Sequence, residues 1–471
     1  MKSSYQRQFN FTKYLDTVVK SETIKYTGRV IAVKGLDIES QGPRCIIGEM
    51  CTIVLRDGTQ LPAEVVGLEE KIVRLTAFGE TKGIEVGCEV IASGTELKVP
   101  VGYSLLGRTI DATGHPCDKL GELVPDSYYP AEANPPDPMT KLPINKRITT
   151  GVRAIDSMLT IGKGQRVGIF AGSGVGKSTL LSMIARNSNA DINVIGLIGE
   201  RNREVLDFIN RDLGKEGLAR SVVVVATSDT PSICRLRAAY VCTAVAEYFR
   251  DHGKDVVLMM DSVTRFAQAQ REIGLANGEP PAQKGYPPSV FDMIPKLLER
   301  SGTNSKGSIT AFYTVLVDND DMNEPIAFNV RGTLDGHIVL NRKLAESFHY
   351  PAIDVLASIS RLSKRITGRQ TQKACGKIRT LMATYRDNQT MITAGIYQKG
   401  NSPQIDEAID KHQAIEEFLM QEEYEPSSMK DTLDKLALLS EIEIPQEEYV
   451  EQPALEFIEK ESESEEKSEN S

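Results

Sequence analysis

The chain has 471 residues, 40% hydrophobic and 25% charged, too long for one ordinary core, so two or three globular domains are expected. No run of 18 apolar residues occurs, and Met1-Lys-Ser-Ser-Tyr-Gln-Arg7 lacks the apolar segment of a signal peptide; a membrane span is not expected and a cytoplasmic location is. The formal net charge of −10 resides entirely from Glu441 onward, where 12 Glu stand against 2 Lys, and the neutral remainder gives no reason to expect nucleic acid as the main ligand.

In chain order, residues 1–26 predict an amphipathic helix carrying Phe9, Tyr14, Leu15 and Val18 or Val19. From Thr27 to Leu97 short β-rich runs, including 28–33, 51–55 and 64–67, alternate with glycine turns such as Asp57-Gly58 and predict a small antiparallel barrel, with the domain placed at 27–100. Pro-rich 128–138 reads as a linker or extended strap. Strands then alternate with helices to about residue 365, the pattern of a mainly parallel sheet covered on both faces, and a nucleotide-binding domain is placed at 101–365. A helical C-terminal domain follows at 366–444, patterned by Ile405, Ile409, Ile415, Phe418 and Leu419. Pro445 opens an acidic tail, 445–471, expected to be disordered. The seven cysteines include no Cys-x-x-Cys pair and read as reduced thiols.

The chemistry centres on Ala171-Gly-Ser-Gly-Val-Gly-Lys-Ser-Thr179. It lies between an apolar run, Arg166–Phe170, and a helically patterned segment, Leu180–Arg186, in the strand, glycine turn, helix order of a phosphate-binding loop. Gly172, Gly174 and Gly176 let successive N–H groups turn toward phosphate oxygens, helped by Ser173, Val175 and Thr179 in the same turn. Lys177 is placed to reach the outer phosphates and Ser178 to ligate Mg2+, a hard cation that prefers oxygen. Ala171 departs from the usual glycine, but at the loop's entry. The apolar run Asp255–Asp261 ends in a carboxylate suited to a magnesium site at a strand's C-terminal edge. Ile192–Gly199 ends in Glu200-Arg201, where Glu200 is placed to activate water and Arg201 to contact phosphoryl oxygens; on pattern alone these two are equally a surface ion pair.

The ordered motifs Gly172–Ser178, Ile198–Arg201, Met260–Ala267, Gly285–Phe291, Gly307–Val315, Leu334–Leu340 and His349–Arg361 resemble the rotary ATP synthase superfamily, and within it the flagellar and type III protein-export ATPases, over roughly residues 25 to 440. The resemblance implies a RecA-like P-loop core and ATP as substrate with Mg2+. Glu200 matches the catalytic glutamate, Arg201 the arginine beside it, and Asp261 the magnesium-site aspartate. Arg265 matches a phosphate-facing arginine and Tyr350 the aromatic that packs on adenine. Arg361 matches an arginine finger entering a neighbouring subunit; by its spacing alone it reads as a solvated charge.

A finger supplied in trans needs a ring, and since one chain carries both halves of the site, a homohexamer is the economical assembly. The resemblance further implies an export regulator at the N-terminal helix, export gate and stalk proteins, export substrates and chaperones, and peripheral association with the membrane export apparatus. The 285–288 region is implied to face a central pore. Flagellar and injection-type systems remain alternatives, beside an ATP synthase or vacuolar-type subunit. An RNA-translocating ring is disfavoured by the scarcity of aromatics in residues 27–100.

Overall fold

The computed structural model describes residues 25–317 and 321–451; the expected N-terminal helix and most of the acidic tail lie outside the described residues. The chain divides between Leu97 and Lys98 into two compact units.

The first unit is a closed barrel of six strands: β1 (Thr27–Lys34), β2 (Asp37–Gln41), β3 (Glu49–Val54), β4 (Gln60–Glu69), β5 (Ile72–Ala77) and β6 (Glu89–Glu96), in the order β1-β2-β5-β4-β3-β6. All its pairings are antiparallel. Alternation places Val30, Ile38, Ile53, Val65, Leu75 and Val90 in the barrel core, because successive side chains on a strand point to opposite faces. The predicted Asp57-Gly58 turn closes the β3–β4 hairpin, with Gly58 at φ 84° and Asp57 Oδ1 accepting from the Thr59 amide at 2.9 Å.

The second unit is built on a sheet whose main path is β7 (Thr109–Ile110), β8 (Arg166–Ala171), β9 (Ile192–Ile198), β10 (Ser221–Ala226), β11 (Asp255–Asp261), β12 (Ser308–Leu316), β13 (Gly336–Leu340) and β14 (Ile359–Ser360). The spatial order is β14-β13-β8-β12-β11-β9-β10-β7, all parallel except the terminal β13–β14 pair. Every residue of β9, and all but the last of β12, is buried, as a sheet covered on both faces requires. The helix α1 (Lys177–Asn187) follows β8 directly, and α2 (Ser232–Asp251) and α3 (Val263–Ala276) flank β11 in sequence. The Pro-rich strap begins as a strand, Ser127–Pro130, paired antiparallel with Lys98–Val101.

Three longer helices, α4 (Arg369–Thr393), α5 (Pro403–Leu419) and α6 (Met429–Ser440), complete this unit. Their buried faces, with Ile378, Ile415, Phe418 and Leu433, join the same apolar core as Ile169, Leu181 and Phe312 of the sheet layer. The chain stays packed beyond Pro445: Gln446–Tyr449 form a 3-10 turn. The Glu448 carboxylate accepts from the Gln370 and Thr371 amides at 3.0 and 2.8 Å and from the Thr371 hydroxyl at 2.6 Å. An acidic side chain here satisfies the orphan N–H groups at the start of α4, which is why Glu-rich sequence in this stretch is not solvated tail. Among the described residues no helix is long and apolar enough to cross a membrane, and all seven cysteines are free thiols.

Candidate active site

The sheet order brings the ends of β8, β12, β11 and β9 side by side at the C-terminal edge, where open parallel sheets bind ligands. After β8 the chain passes through Gly174 (φ 79°) and Gly176 (φ 92°, ψ 20°) into α1. Gly176 is the residue before the first helical turn, and its left-handed conformation is one that side-chain-bearing residues adopt only at a cost. Ser173 and Ser178 are exposed on the loop, Gly172 and Val175 are buried, and Thr179 turns into a cavity.

Lys177, at the first turn of α1, reaches across the strand ends. Its Nζ lies 2.5 Å from Asp261 Oδ1 and 3.2 Å from Glu200 Oε1. Burial works to lower the Lys177 pKa, but the two carboxylates outweigh it and the net direction is upward, so the side chain is a fixed cation. Glu200 moves upward from its ordinary 4.5: burial drives this, Lys177 opposes it, and a bond with Glu204 adds to it. Asp261, 2% exposed, also accepts from the Thr314 hydroxyl at 2.7 Å, again on Oδ1. The pairing of Met260 with Tyr313 puts Asp261 and Thr314 together at the strand ends.

A cavity of about 730 Å³ opens beside the loop, a size suited to a nucleotide-sized ligand. Gly174, Gly176, Thr179 and Leu180 line one side, Phe348 and Tyr350 another, and Met420–Glu425 a third. The Tyr350 ring packs against the loop so closely that a Cβ on Gly176 would sit 3.4 Å from it. Gln421 fastens the third wall. Its amide donates to the Tyr350 carbonyl at 2.9 Å, its Oε1 accepts from the Arg153 amide at 2.8 Å, and its Nε2 donates to the Gly151 carbonyl at 2.9 Å.

The structure thus gathers the loop 172–179, Lys177, Glu200, Asp261 and Tyr350 within one chain. Arg265 packs beside them: its aliphatic stem fills the space over Gly199 (φ 71°), and its Nη1 donates to Gln268 at 2.8 Å. Arg201 is not brought to Lys177; its side chain is 82% exposed and pairs with Glu204 at 3.3 Å. Arg361 is likewise apart from the cavity, exposed just after the edge strand β14, with its amide donating to the Asp335 carbonyl at 3.0 Å. Sequence reasoning missed Thr314, Phe348 and the wall 420–425. Thr314 lies inside the Gly307–Val315 motif, whereas nothing in the sequence near Gln421 marks it as a neighbour of Tyr350.

Family models match three parts of the chain: the beta-barrel domain of the ATP synthase alpha/beta family over residues 30–94, the nucleotide-binding domain of that family over 151–360, and the T3SS EscN ATPase C-terminal domain over 367–437. The flagellum-specific ATP synthase of Treponema pallidum is 53% identical over 435 residues, 92% of this chain and 97% of that protein. The type 3 secretion system ATPase of Xanthomonas euvesicatoria is 51% identical over 415 residues, 88% of this chain and 94% of that protein. Among solved structures, the assembled ATPase EscN of the enteropathogenic E. coli type III secretion system matches with a TM-score of 0.84 at 44% identity, over 88% of this chain and all of that one.

Proposed function

The chain belongs to the ATP synthase alpha/beta family, as an ATPase of the flagellar and type III export class, and from that premise we propose how its own residues hydrolyse ATP and in what assembly. The observation that carries the reading is the Lys177 ammonium shared by Asp261 and Glu200 beside the glycine loop. Entering phosphates compete for Lys177 and draw it toward the outer phosphoryl group, which releases Glu200 to orient the attacking water and accept its proton. Burial that raises the Glu200 pKa makes it a better base than an ordinary carboxylate. Tyr350 stacks on adenine, and Arg265, positioned over Gly199, faces the phosphates. The all-oxygen donor set of Ser178 and Asp261 fits Mg2+, with Asp261 held in register by Thr314. When bound, the ion neutralises phosphate charge and acts as a Lewis acid.

The exposure of Arg361 away from its own cavity supports a finger that serves a neighbouring copy, and Arg201, equally exposed, a role at the same boundary. A homohexameric ring closes such head-to-tail contacts. Of the two relatives described, the flagellar one is the more similar, which favours a cytoplasmic ATPase associated with the flagellar export gate. In that reading a stalk, an export regulator at the N-terminal segment, and export substrates with their chaperones are its partners. The test is Glu200→Gln: binding of a fluorescent ATP analogue persists while turnover falls by about 10²- to 10⁴-fold, the usual worth of a positioned base. Full turnover in the Gln variant removes Glu200 from the mechanism.

A further inference from the structure

Arg186, near the end of α1, is 16% exposed, and its guanidinium is directed away from its own helix. One nitrogen, Nη1, donates to the Asp212 carbonyl. The other, Nη2, donates to the Glu423 carbonyl at 2.7 Å and lies 3.8 Å from the Glu423 carboxylate. The plane stands over the Tyr424 ring, 4.5 Å from its centroid. The carbonyls that end α1 are served by a different residue: Arg220 donates to Ala185, Arg186 and Ser188 at 2.6, 3.2 and 3.0 Å. Arg186 is therefore not needed as a helix cap, and its fork is free to join distant segments.

The two segments it joins are functionally distinct. Asp212 lies in a π-helical turn, Phe208–Leu213, that continues the short helix Asn202–Asp207 immediately after Glu200-Arg201. Such turns loosen the regular ladder and recur at functional sites. Glu423 and Tyr424 belong to the third wall of the cavity, opposite the glycine loop. The Tyr424 hydroxyl adds a direct link, donating to the Arg211 carbonyl at 3.4 Å. The helix that starts at the phosphate loop thus ends in a clasp holding both the third wall of the cavity and the segment that follows Glu200.

We propose that Arg186 is a positioning residue that holds the 420–425 wall of the nucleotide cavity and the segment following Glu200 in one fixed register. The inference rests on the reading of Glu200 as the base and of the cavity as the nucleotide site. A guanidinium suits the task because it forms two directed hydrogen bonds and stacks on an aromatic face at once; an ammonium does not. Loss of the clasp loosens the register between the wall, still held by Gln421, and the segment following Glu200, and a displacement of about 1 Å in a reacting group is enough for a rate loss approaching 10²-fold.

The experiment measures kcat, KM and thermal midpoint for Arg186→Ala, Arg186→Lys, Tyr424→Phe and the double variant Arg186→Ala/Tyr424→Ala in the full chain. Expected are a fall in kcat of about tenfold or more together with a raised KM for both Arg186 variants, on the scale set by such displacements. Tyr424→Phe keeps the stack but loses the bond to the Arg211 carbonyl, and its kcat should fall between the parent and Arg186→Ala. The double variant is no worse than Arg186→Ala, since both break one clasp. If Arg186→Ala fails to fold, Arg186→Lys provides the same comparison. A raised KM with unchanged kcat, or a lowered midpoint with normal kcat, would overturn the proposal, leaving Arg186 a wall contact or a packing residue. If Glu200→Gln stays active, the reading of the site fails; if Glu200→Gln is dead and the Arg186 variants keep the parental kcat, only the clasp fails.

Discussion

Replacing Lys177 with alanine removes the cation that lies between Asp261 and Glu200, and the damage is expected to reach stability as well as binding. Breaking a buried ion pair from one side costs about 3–5 kcal/mol, because the remaining charge stays desolvated. Here the lower end applies: Asp261 keeps the Thr314 hydroxyl at 2.7 Å, and the Glu200 side chain, 18% exposed, retains access to water. Urea unfolding of the nucleotide-free protein at pH 7 should therefore show a loss of about 3 kcal/mol, and Lys177→Ala/Asp261→Asn should regain most of it by removing a stranded charge. The pH dependence has a defined sign. Burial already raises the folded pKa of Glu200 above 4.5, and loss of the opposing ammonium raises it further. A carboxyl raised in the fold destabilises only when ionised; the penalty is absent below 4.5 and grows as pH climbs through the folded value. The deficit should thus narrow from pH 7 toward pH 4. Parental stability at pH 7, or a deficit that widens on acidification, would refute the argument.

Gly176→Ala places a Cβ at φ 92° and 3.4 Å from Tyr350, and should cost about 1–2 kcal/mol in the same unfolding assay while raising KM for ATP. Because Glu200 must be ionised to act and its pKa is raised by burial, the acid limb of kcat/KM should lie above 4.5, and Glu200→Asp, if active, should shift that limb; a profile flat down to pH 4.5 excludes Glu200 as the titrating base. Mixing Arg361→Ala with Lys177→Ala chains should restore part of the turnover if the finger acts across a boundary, with no recovery at any ratio as the contrary outcome. Glu448→Gln weakens a charge-assisted cap on α4 and should lower stability by about 1 kcal/mol without altering KM for ATP.

The glycine loop, its two flanking elements and the Asp255–Asp261 strand were legible because each is written locally, in a run of apolar residues or a spacing of glycines that one segment satisfies alone. The barrel was legible for the same reason, through short strands and turns such as Asp57-Gly58. What escaped depends on topology. Thr314 reaches Asp261 only because β11 and β12 pair in parallel register, and the two are 53 positions apart in the chain. The wall 420–425 meets Tyr350 through Gln421, a residue whose type carries no sign of that contact. Residues 446–449 pack where composition predicts solvated tail, for a physical reason: Glu448 is counted as solvating by composition, yet a carboxylate is what an uncapped helix start attracts.

The six-stranded barrel has a consequence for recognition. Among the described residues its strands close on themselves, so they offer no row of unpaired N–H and C=O groups onto which an extended peptide could add as a further strand. Whatever meets this unit must read it through side chains on its loops and outer face. Its specificity is then set residue by residue, open to change by single substitutions, while the backbone scaffold beneath stays indifferent to the partner's sequence.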